Sequence, residues 1–232
     1  MNKNFSNKYF VILNKNEIIF SCLNKENKIS YTKKQILTNG LNNIIKELEN
    51  FFTDNLIEIE RNLKDFIKKI YIIFDIDEIL SVDLSIKYKF ESGKINEKKI
   101  NDLLSHLKYQ FTKYSNNQNV IHMTISKLLI DGEEKDMSFV KETSNNLILE
   151  VKFECIKNKI VHIIKESCSN YQITVDKILL ANHLRQSIEN HTDDVISLAS
   201  KFLNGENKNE VSWVNKKTIK QGFFERFFKF FA

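Results

Sequence analysis

The sequence predicts an α/β (α+β) protein, with a small sheet of mostly antiparallel strands and helices packed on it. Between residues 70 and 180, short apolar runs and amphipathic segments follow one another as strand, strand, helix, strand, strand, helix, strand. Several runs alternate apolar and polar side chains, which is typical of strands with one buried face. The 232 residues, 42% of them hydrophobic, are sufficient to build such a core.

The first 69 residues are predicted to hold a hairpin and two helices. Two apolar strands, at 9–13 and 17–23, flank the turn-forming residues Asn14, Lys15 and Asn16. Apolar residues then recur every three or four positions over 33–52 and again over 55–68. That spacing predicts two amphipathic helices.

Residues 70–184 are predicted to form one compact α/β unit. Its strands are expected at 70–74, 83–90, 120–130, 146–156 and 173–180, and its helices at 96–114 and 159–169. Each helix carries a single apolar stripe, so both are expected to pack on one face of one sheet. Residues 185–215 are predicted to hold a short helix at 193–203 and a polar linker at 205–209.

The C-terminal segment carries the strongest functional signal. Six of the eighteen phenylalanines lie in residues 222–232, and on a helix they fall within an arc of about 160°. A broad aromatic face beside a basic face is what an in-plane membrane anchor requires, so residues 216–232 are predicted to be an amphipathic membrane-targeting helix. The alternative is a terminal helix packed on the protein's own core. The predicted membrane-binding residues are Ile219, Phe223, Phe224, Phe227, Phe228, Phe230 and Phe231 on the apolar face, with Lys216, Lys217, Lys220, Arg226 and Lys229 as the cations.

Composition narrows the choice of partner and compartment. Lys and Arg outnumber Asp and Glu by 35 to 30, an excess that favours local attraction to anionic lipid over a nucleic-acid groove. No nucleic-acid partner is therefore expected. The N-terminus has no apolar targeting segment and no apolar run is long enough to span a bilayer, so a cytoplasmic, peripheral protein is expected. Three dispersed cysteines, Cys22, Cys155 and Cys168, are expected to be reduced and structural.

No catalytic residue, cofactor or metal site is predicted. The five glycines form no Gly-rich phosphate turn. Asp75, Asp77, Glu78 and Asp83 form an acidic cluster that a hard cation could use, but no second cluster completes it and a solvated loop is favoured. The five histidines are dispersed and lack the spacing of a helical zinc pair; they are His106, His122, His162, His183 and His191.

Several stretches in the same order resemble FtsA, the bacterial actin-like protein that tethers the division ring to the membrane. They are residues 70–83, 95–108, 119–135 and 147–187, followed by a tail at 222–231 that resembles the family's membrane-targeting helix. The resemblance implies a degenerate actin-like first subdomain at 1–69 and an inserted α/β interaction subdomain at 70–184. The turn at 13–16 lacks the aspartate and glycine of the family's phosphate turn, and no second phosphate loop is found. These departures imply that ATP binding has been lost.

The sequence thus favours a non-enzymatic peripheral membrane adaptor of bacterial cell division. Its expected partners are anionic lipid of the cytoplasmic leaflet, division-apparatus proteins and further copies of itself, on the inner face of the cell membrane at the division site. One alternative is an interaction module of another membrane-associated assembly, resembling the actin-like pilus-platform proteins, with the tail docked in a protein groove. Another is an actin-like ATPase with diverged motifs.

Overall fold

The computed structural model describes residues 7–37, 44–77, 79–89, 95–135, 145–188, 194–207 and 210–211. The chain divides into two compact units. The first unit comprises Met1–Glu78 and Lys159–Lys208, and the second comprises Ile79–Asn158 and Asn209–Ala232. Residues 79–158 of the second unit are therefore inserted between the two parts of the first.

The described residues form nine strands and five helices. The strands are β1 (Lys8–Asn14), β2 (Glu17–Leu23), β3 (Ile29–Ile36), β4 (Lys69–Asp75), β5 (Leu80–Lys89), β6 (Gln118–Ile130), β7 (Glu133–Glu134), β8 (Asn146–Lys157) and β9 (Thr174–Leu180). The helices are α1 (Ile44–Leu63), α2 (Glu97–Tyr114), α3 (Asn158–Asn170), α4 (Ala181–Ser187) and α5 (Val195–Leu203).

A five-stranded mixed sheet in the order β3-β2-β1-β4-β9 forms the first unit. The meander β1–β2–β3 is antiparallel, whereas β4 runs parallel to both β1 and β9. Residues 9–13 of β1 are all buried, as expected for a central strand that is covered on both faces. The core on one side combines sheet residues such as Phe10 and Ile73 with Leu184 of α4 and Phe202 of α5.

An antiparallel sheet in the order β5-β8-β6-β7 forms the second unit, with α2 packed against it. Asn96 caps this helix, since its side chain accepts a hydrogen bond from the Lys99 amide at 2.9 Å. The apolar stripe of α2 ends at Phe111, whose ring stacks on that of Phe153 with centroids 5.0 Å apart. Alternating buried side chains of β8 complete the core.

The predicted α/β class is confirmed, but the prediction of one sheet over residues 70–180 is wrong. β4 and β9 belong to the five-stranded sheet, whereas β5, β6 and β8 form the other sheet. The two predicted helices consequently lie in different units: α2 belongs to the second unit and α3 to the first. The division of the chain also differs from the predicted boundary at residues 69/70, because β4, α3 and β9 belong to the first unit.

The prediction of two helices over residues 33–68 is also wrong. Residues 33–36 belong to β3, an edge strand paired with β2, and a single helix, α1, covers most of the remainder. The half-buried side chains of β3 alternate and face α1, where Lys33 pairs with Glu58 and Gln35 accepts a hydrogen bond from Asn55. Because these contacts are polar, the sequence of β3 lacks the alternation of apolar and polar residues that predicts a strand.

Candidate functional site

Open α/β sheets bind ligands at the carboxyl ends of their parallel strands, so this edge of the five-stranded sheet is a candidate ligand site. β1 and β4 are parallel neighbours, and their last residues, Asn14 and Asp75, are register partners. The residues that follow them, 15–16 and 76–77, are the turns that would face a ligand. The hydrogen bonds and charges of these turns therefore decide whether a ligand could bind.

The turn after β1 is closed by its own first residue. The Asn14 Oδ1 atom accepts hydrogen bonds from the amide of Asn16 at 2.9 Å and from the amide of Glu17 at 2.8 Å. In a phosphate-cradling turn, such amides point at the ligand. Here the two amides are hydrogen-bonded within the turn, an Asx-type arrangement that needs no glycine.

The carboxylates at the end of β4 are paired with cations from other parts of the first unit. Arg185 of α4 binds Asp75 through two parallel hydrogen bonds of 2.8 and 2.9 Å, and this contact raises the pKa of the guanidinium. The Lys15 ammonium contacts Asp77, and this hydrogen bond lowers the pKa of the Asp77 carboxyl. Two members of the acidic cluster identified in the sequence are therefore in ion pairs. Asp83 belongs to β5 in the second unit.

A buried polar contact in the second unit fixes the residues that precede the C-terminal segment. Glu210 and His122 of β6 are both buried, and the Glu210 Oε1 atom lies 3.0 Å from the His122 Nδ1 atom. Thr124 donates a hydrogen bond to the other carboxylate oxygen at 3.4 Å. The amide of Val211 donates to the carbonyl of Met123 at 2.7 Å, and the Val211 side chain is buried in the second unit's core.

Glu210 and Val211 are therefore docked on β6 by backbone, side-chain and apolar contacts. A buried carboxylate is costly unless it is hydrogen-bonded, so His122 and Thr124 compensate for the burial of Glu210. No local sequence pattern indicates this contact, because 88 residues separate His122 from Glu210. We call residues 210–211 the docking segment.

The remaining histidines that the structure describes differ in environment. His183 of α4 is buried, within 3.0 Å of the Ser187 hydroxyl and edge-on to Phe202. His162 is largely exposed beside Glu166 on α3, and His106 is exposed on α2. His191 lies outside the described residues.

All three cysteines are buried free thiols, as predicted. Burial raises the pKa of Cys155 to about 11 and that of Cys168 to about 12, and it also raises the pKa of Cys22. The thiolate is the nucleophilic form of cysteine, and it is scarce at neutral pH when the pKa is so high. These thiols therefore act as small apolar core groups.

The predicted membrane-binding residues, from Lys216 to Phe231, lie outside the described residues. The described part of the chain contains no helix with the length and apolar character that crossing a bilayer requires.

No protein-family model matches the chain, and no curated protein matches it. Solved structures similar to it include the cytoplasmic domain of EpsL, an inner-membrane component of the Vibrio cholerae type II secretion system (9% identity, TM-score 0.40, covering 77% of this chain and 57% of that one). Another is a PilM–PilN type IV pilus biogenesis complex (7% identity, TM-score 0.44, 79% and 49%). A third is a Bacteroides thetaiotaomicron protein of unknown function with an actin-like ATPase fold (12% identity, TM-score 0.39, 78% and 55%). The chain spans about half the length of these structures.

Proposed function

We propose that the protein is a non-enzymatic adaptor of a membrane-associated assembly, bound to the cytoplasmic face of a membrane through residues 216–232. The observation that carries this proposal is the separation of side chains in that segment. If the segment is drawn as a helix, the sequence places six phenylalanines on one face and Glu225, Arg226 and Lys229 on the other. Such a segment places its rings at the boundary between headgroups and acyl chains while its cations stay with anionic phosphates.

The expected affinity of this segment is modest. Each half-inserted ring contributes somewhat less than about 1.5–3 kcal/mol, the value for full burial. A segment of this length is marginally helical in water, so ordering it on the membrane offsets part of the gain. Binding of a single copy is therefore reversible and on the order of micromolar. Stable attachment requires several tethered copies or a shared partner, which raises the effective concentration at the membrane.

The docking segment supports the link between the membrane and the folded protein. Val211 is buried in the second unit, and Lys216 is the first predicted anchor residue. The intervening backbone spans at most about 18 Å when fully extended. A membrane contact made by residues 216–232 would therefore hold the second unit close to the lipid surface.

The absence of catalysis is part of the proposal, and three observations support it. Asn14 occupies the amides of the turn after β1, and the carboxylates Asp75 and Asp77 are paired with Arg185 and Lys15. The buried thiols have raised pKa values. A phosphate, a hard cation or a nucleophilic mechanism would each have to displace or ionise one of these groups.

The proposal also concerns which membrane-associated assembly the protein belongs to. The sequence resemblance to FtsA implies bacterial cell division, with division-apparatus proteins as partners. The second candidate is an interaction module of a secretion or pilus assembly, the class to which the EpsL and PilM–PilN structures belong. In that candidate residues 216–232 occupy a groove on a partner protein.

Vesicle flotation tests the proposal and separates the two candidates. The full chain should float with vesicles that contain anionic lipid and less with neutral vesicles, and a chain that ends at residue 215 should stay at the bottom. A segment that binds a protein groove should show no preference for anionic lipid. In that case, affinity purification from cells should lose a protein partner when residues 216–232 are removed. Absence of the full chain from the floating fraction would refute the membrane anchor.

A further inference from the structure

The strand β5 forms one edge of the antiparallel sheet and pairs regularly along its whole length. It pairs with β8 from Leu80 to Lys89 without any shift in register, whereas the pairing of β6 with β8 contains two shifts. Among the described strands, none pairs with the other side of β5. The strand contains no proline or glycine. Natural edge strands are usually short or bulged, because a long regular edge is a template for another strand.

The two faces of β5 differ in chemistry. Val82, Leu84, Ile86 and Tyr88 are half-buried against the core of the second unit, and Lys99 of α2 covers the Tyr88 ring with its ammonium 4.0 Å from the centroid. The opposite face is exposed and polar, and its residues are Ser81, Asp83, Ser85, Lys87 and Lys89.

The charges on the polar face complement a second copy of the same strand. In an antiparallel pair related by a two-fold axis, opposite residues lie on the same face of the sheet. When Ser85 lies opposite itself, Asp83 lies opposite Lys87, and the symmetry makes this contact twice. Neither residue has an ion-pair partner among the described residues. The same register places Leu84 opposite Ile86, which continues the apolar face.

Neighbouring registers match less well. Placing Asp83 opposite itself, or Lys87 opposite itself, sets like charges directly against each other, which is destabilising. Placing Leu84 opposite itself leaves Asp83 opposite Ser85 and forms no opposite-charge pair. Placing Ile86 opposite itself pairs Asp83 with Lys89 but shortens the ladder. The register at Ser85 uses residues 81–89 and forms both Asp83–Lys87 pairs.

We propose that two copies of the protein associate through β5, in an antiparallel pair centred on Ser85, to form one continuous sheet. The partner is thus a second copy of this chain, and its β5 supplies backbone hydrogen bonds to an edge that no described strand pairs with. Taken with the proposed membrane function, the dimer carries two C-terminal segments and so strengthens lipid binding by avidity. The dimer itself does not depend on that function and is tested without lipid.

Charge substitutions on the full chain test the pairing. Asp83→Lys places four lysines around the two-fold axis, and Lys87→Asp places four aspartates there. Each single variant should raise the dimer dissociation constant, measured by sedimentation equilibrium, on the order of tenfold to a hundredfold. An equimolar mixture of the two variants should recover the wild-type dissociation constant within a few fold, because position 83 of each chain then faces the opposite charge at position 87 of the other. The double variant D83K/K87D should recover it too.

Asp102→Lys is the matched control, since Asp102 is an exposed residue of α2 in the same unit. It makes the same change in net charge and should leave the dissociation constant unchanged. The proposal fails if the unmodified chain is monomeric up to about 100 µM, a range in which a weak specific dimer would be populated. It also fails if Asp83→Lys weakens association no more than Asp102→Lys does, or if mixing the two single variants restores nothing. Because no vesicles are present, failure of membrane binding cannot produce any of these outcomes.

Discussion

Replacing Asn14 by alanine tests the claim that the turn after β1 is closed by its own side chain and does not bind a phosphate. The substitution removes the acceptor of two hydrogen bonds, to the amides of Asn16 and Glu17, at 2.9 and 2.8 Å. Each such bond contributes about 0.5–1.5 kcal/mol, and water replaces part of it at a partly exposed turn. We expect a loss of about 1–2 kcal/mol, which in a chain of this size lowers the melting temperature by about 2–8 °C.

The assay is thermal melting with and without 1 mM Mg-ATP. A competent nucleotide site with a Kd of about 10 µM would be stabilised by about 2.7 kcal/mol at this concentration, a shift of at least about 5 °C. We expect no such shift in the unmodified chain or in Asn14→Ala. Asn24→Ala is the control, because Asn24 accepts equivalent bonds from Glu26 and Lys28 at 3.0 and 2.9 Å in the turn between β2 and β3. A clear rise in melting temperature with ATP would refute the reasoning, and so would an Asn14→Ala variant as stable as the unmodified chain.

Two further predictions concern the cores. The folded pKa values of Cys155 and Cys168 (about 11 and about 12) lie above the unfolded value of about 8.5, so the unfolded state loses these protons first as pH rises. Each thiol should therefore reduce the free energy of unfolding by about 1.6 kcal/mol between pH 8.5 and 10. Urea unfolding at several pH values measures this loss, and an unchanged pH dependence in Cys168→Ala would contradict it. Phe111→Ala removes a buried ring stacked on Phe153 and should cost the second unit about 3–5 kcal/mol. Hydrogen exchange should then rise in β6 and β8 more than in β1 and β4, and a uniform rise would contradict two separate cores.

Local sequence patterns predicted those helices and strands whose own residues carry a clear apolar pattern. The hairpin of β1 and β2 follows from two apolar runs on either side of a turn. The helix α2 and the strands β6 and β8 follow from apolar periodicity, because each buries one face against its own unit. β3 was not predicted, because its half-buried side chains include Lys33 and Gln35, which contact α1 through polar groups. An edge strand with polar contacts on its inner face has no apolar alternation to detect.

The assignment of strands to sheets could not be predicted from local patterns. β4 pairs with β1 on one side and β9 on the other, although residues 79–158 of the second unit separate β4 from β9 in sequence. Parallel pairing between distant strands leaves no local signal. The polar contacts could not be predicted for the same reason. Asp75 and Arg185 lie 110 residues apart in sequence, and His122 and Glu210 lie 88 apart. Residue types suggested candidates, but only the fold brings the partners together.

Membrane attachment through residues 216–232 is the central claim, and vesicle co-sedimentation of single variants tests it most directly. Phe227→Glu places a charge on the apolar face, where insertion would cost several kcal/mol, a value similar to the whole binding energy. This variant should stay in the supernatant with an unchanged melting temperature. Lys229→Glu, on the polar face, should weaken binding only to anionic vesicles, and the effect should fade as added salt screens the charge. If the unmodified chain binds no vesicles and Phe227→Glu lowers the melting temperature by several degrees, the segment belongs to the protein's core and the account is contradicted.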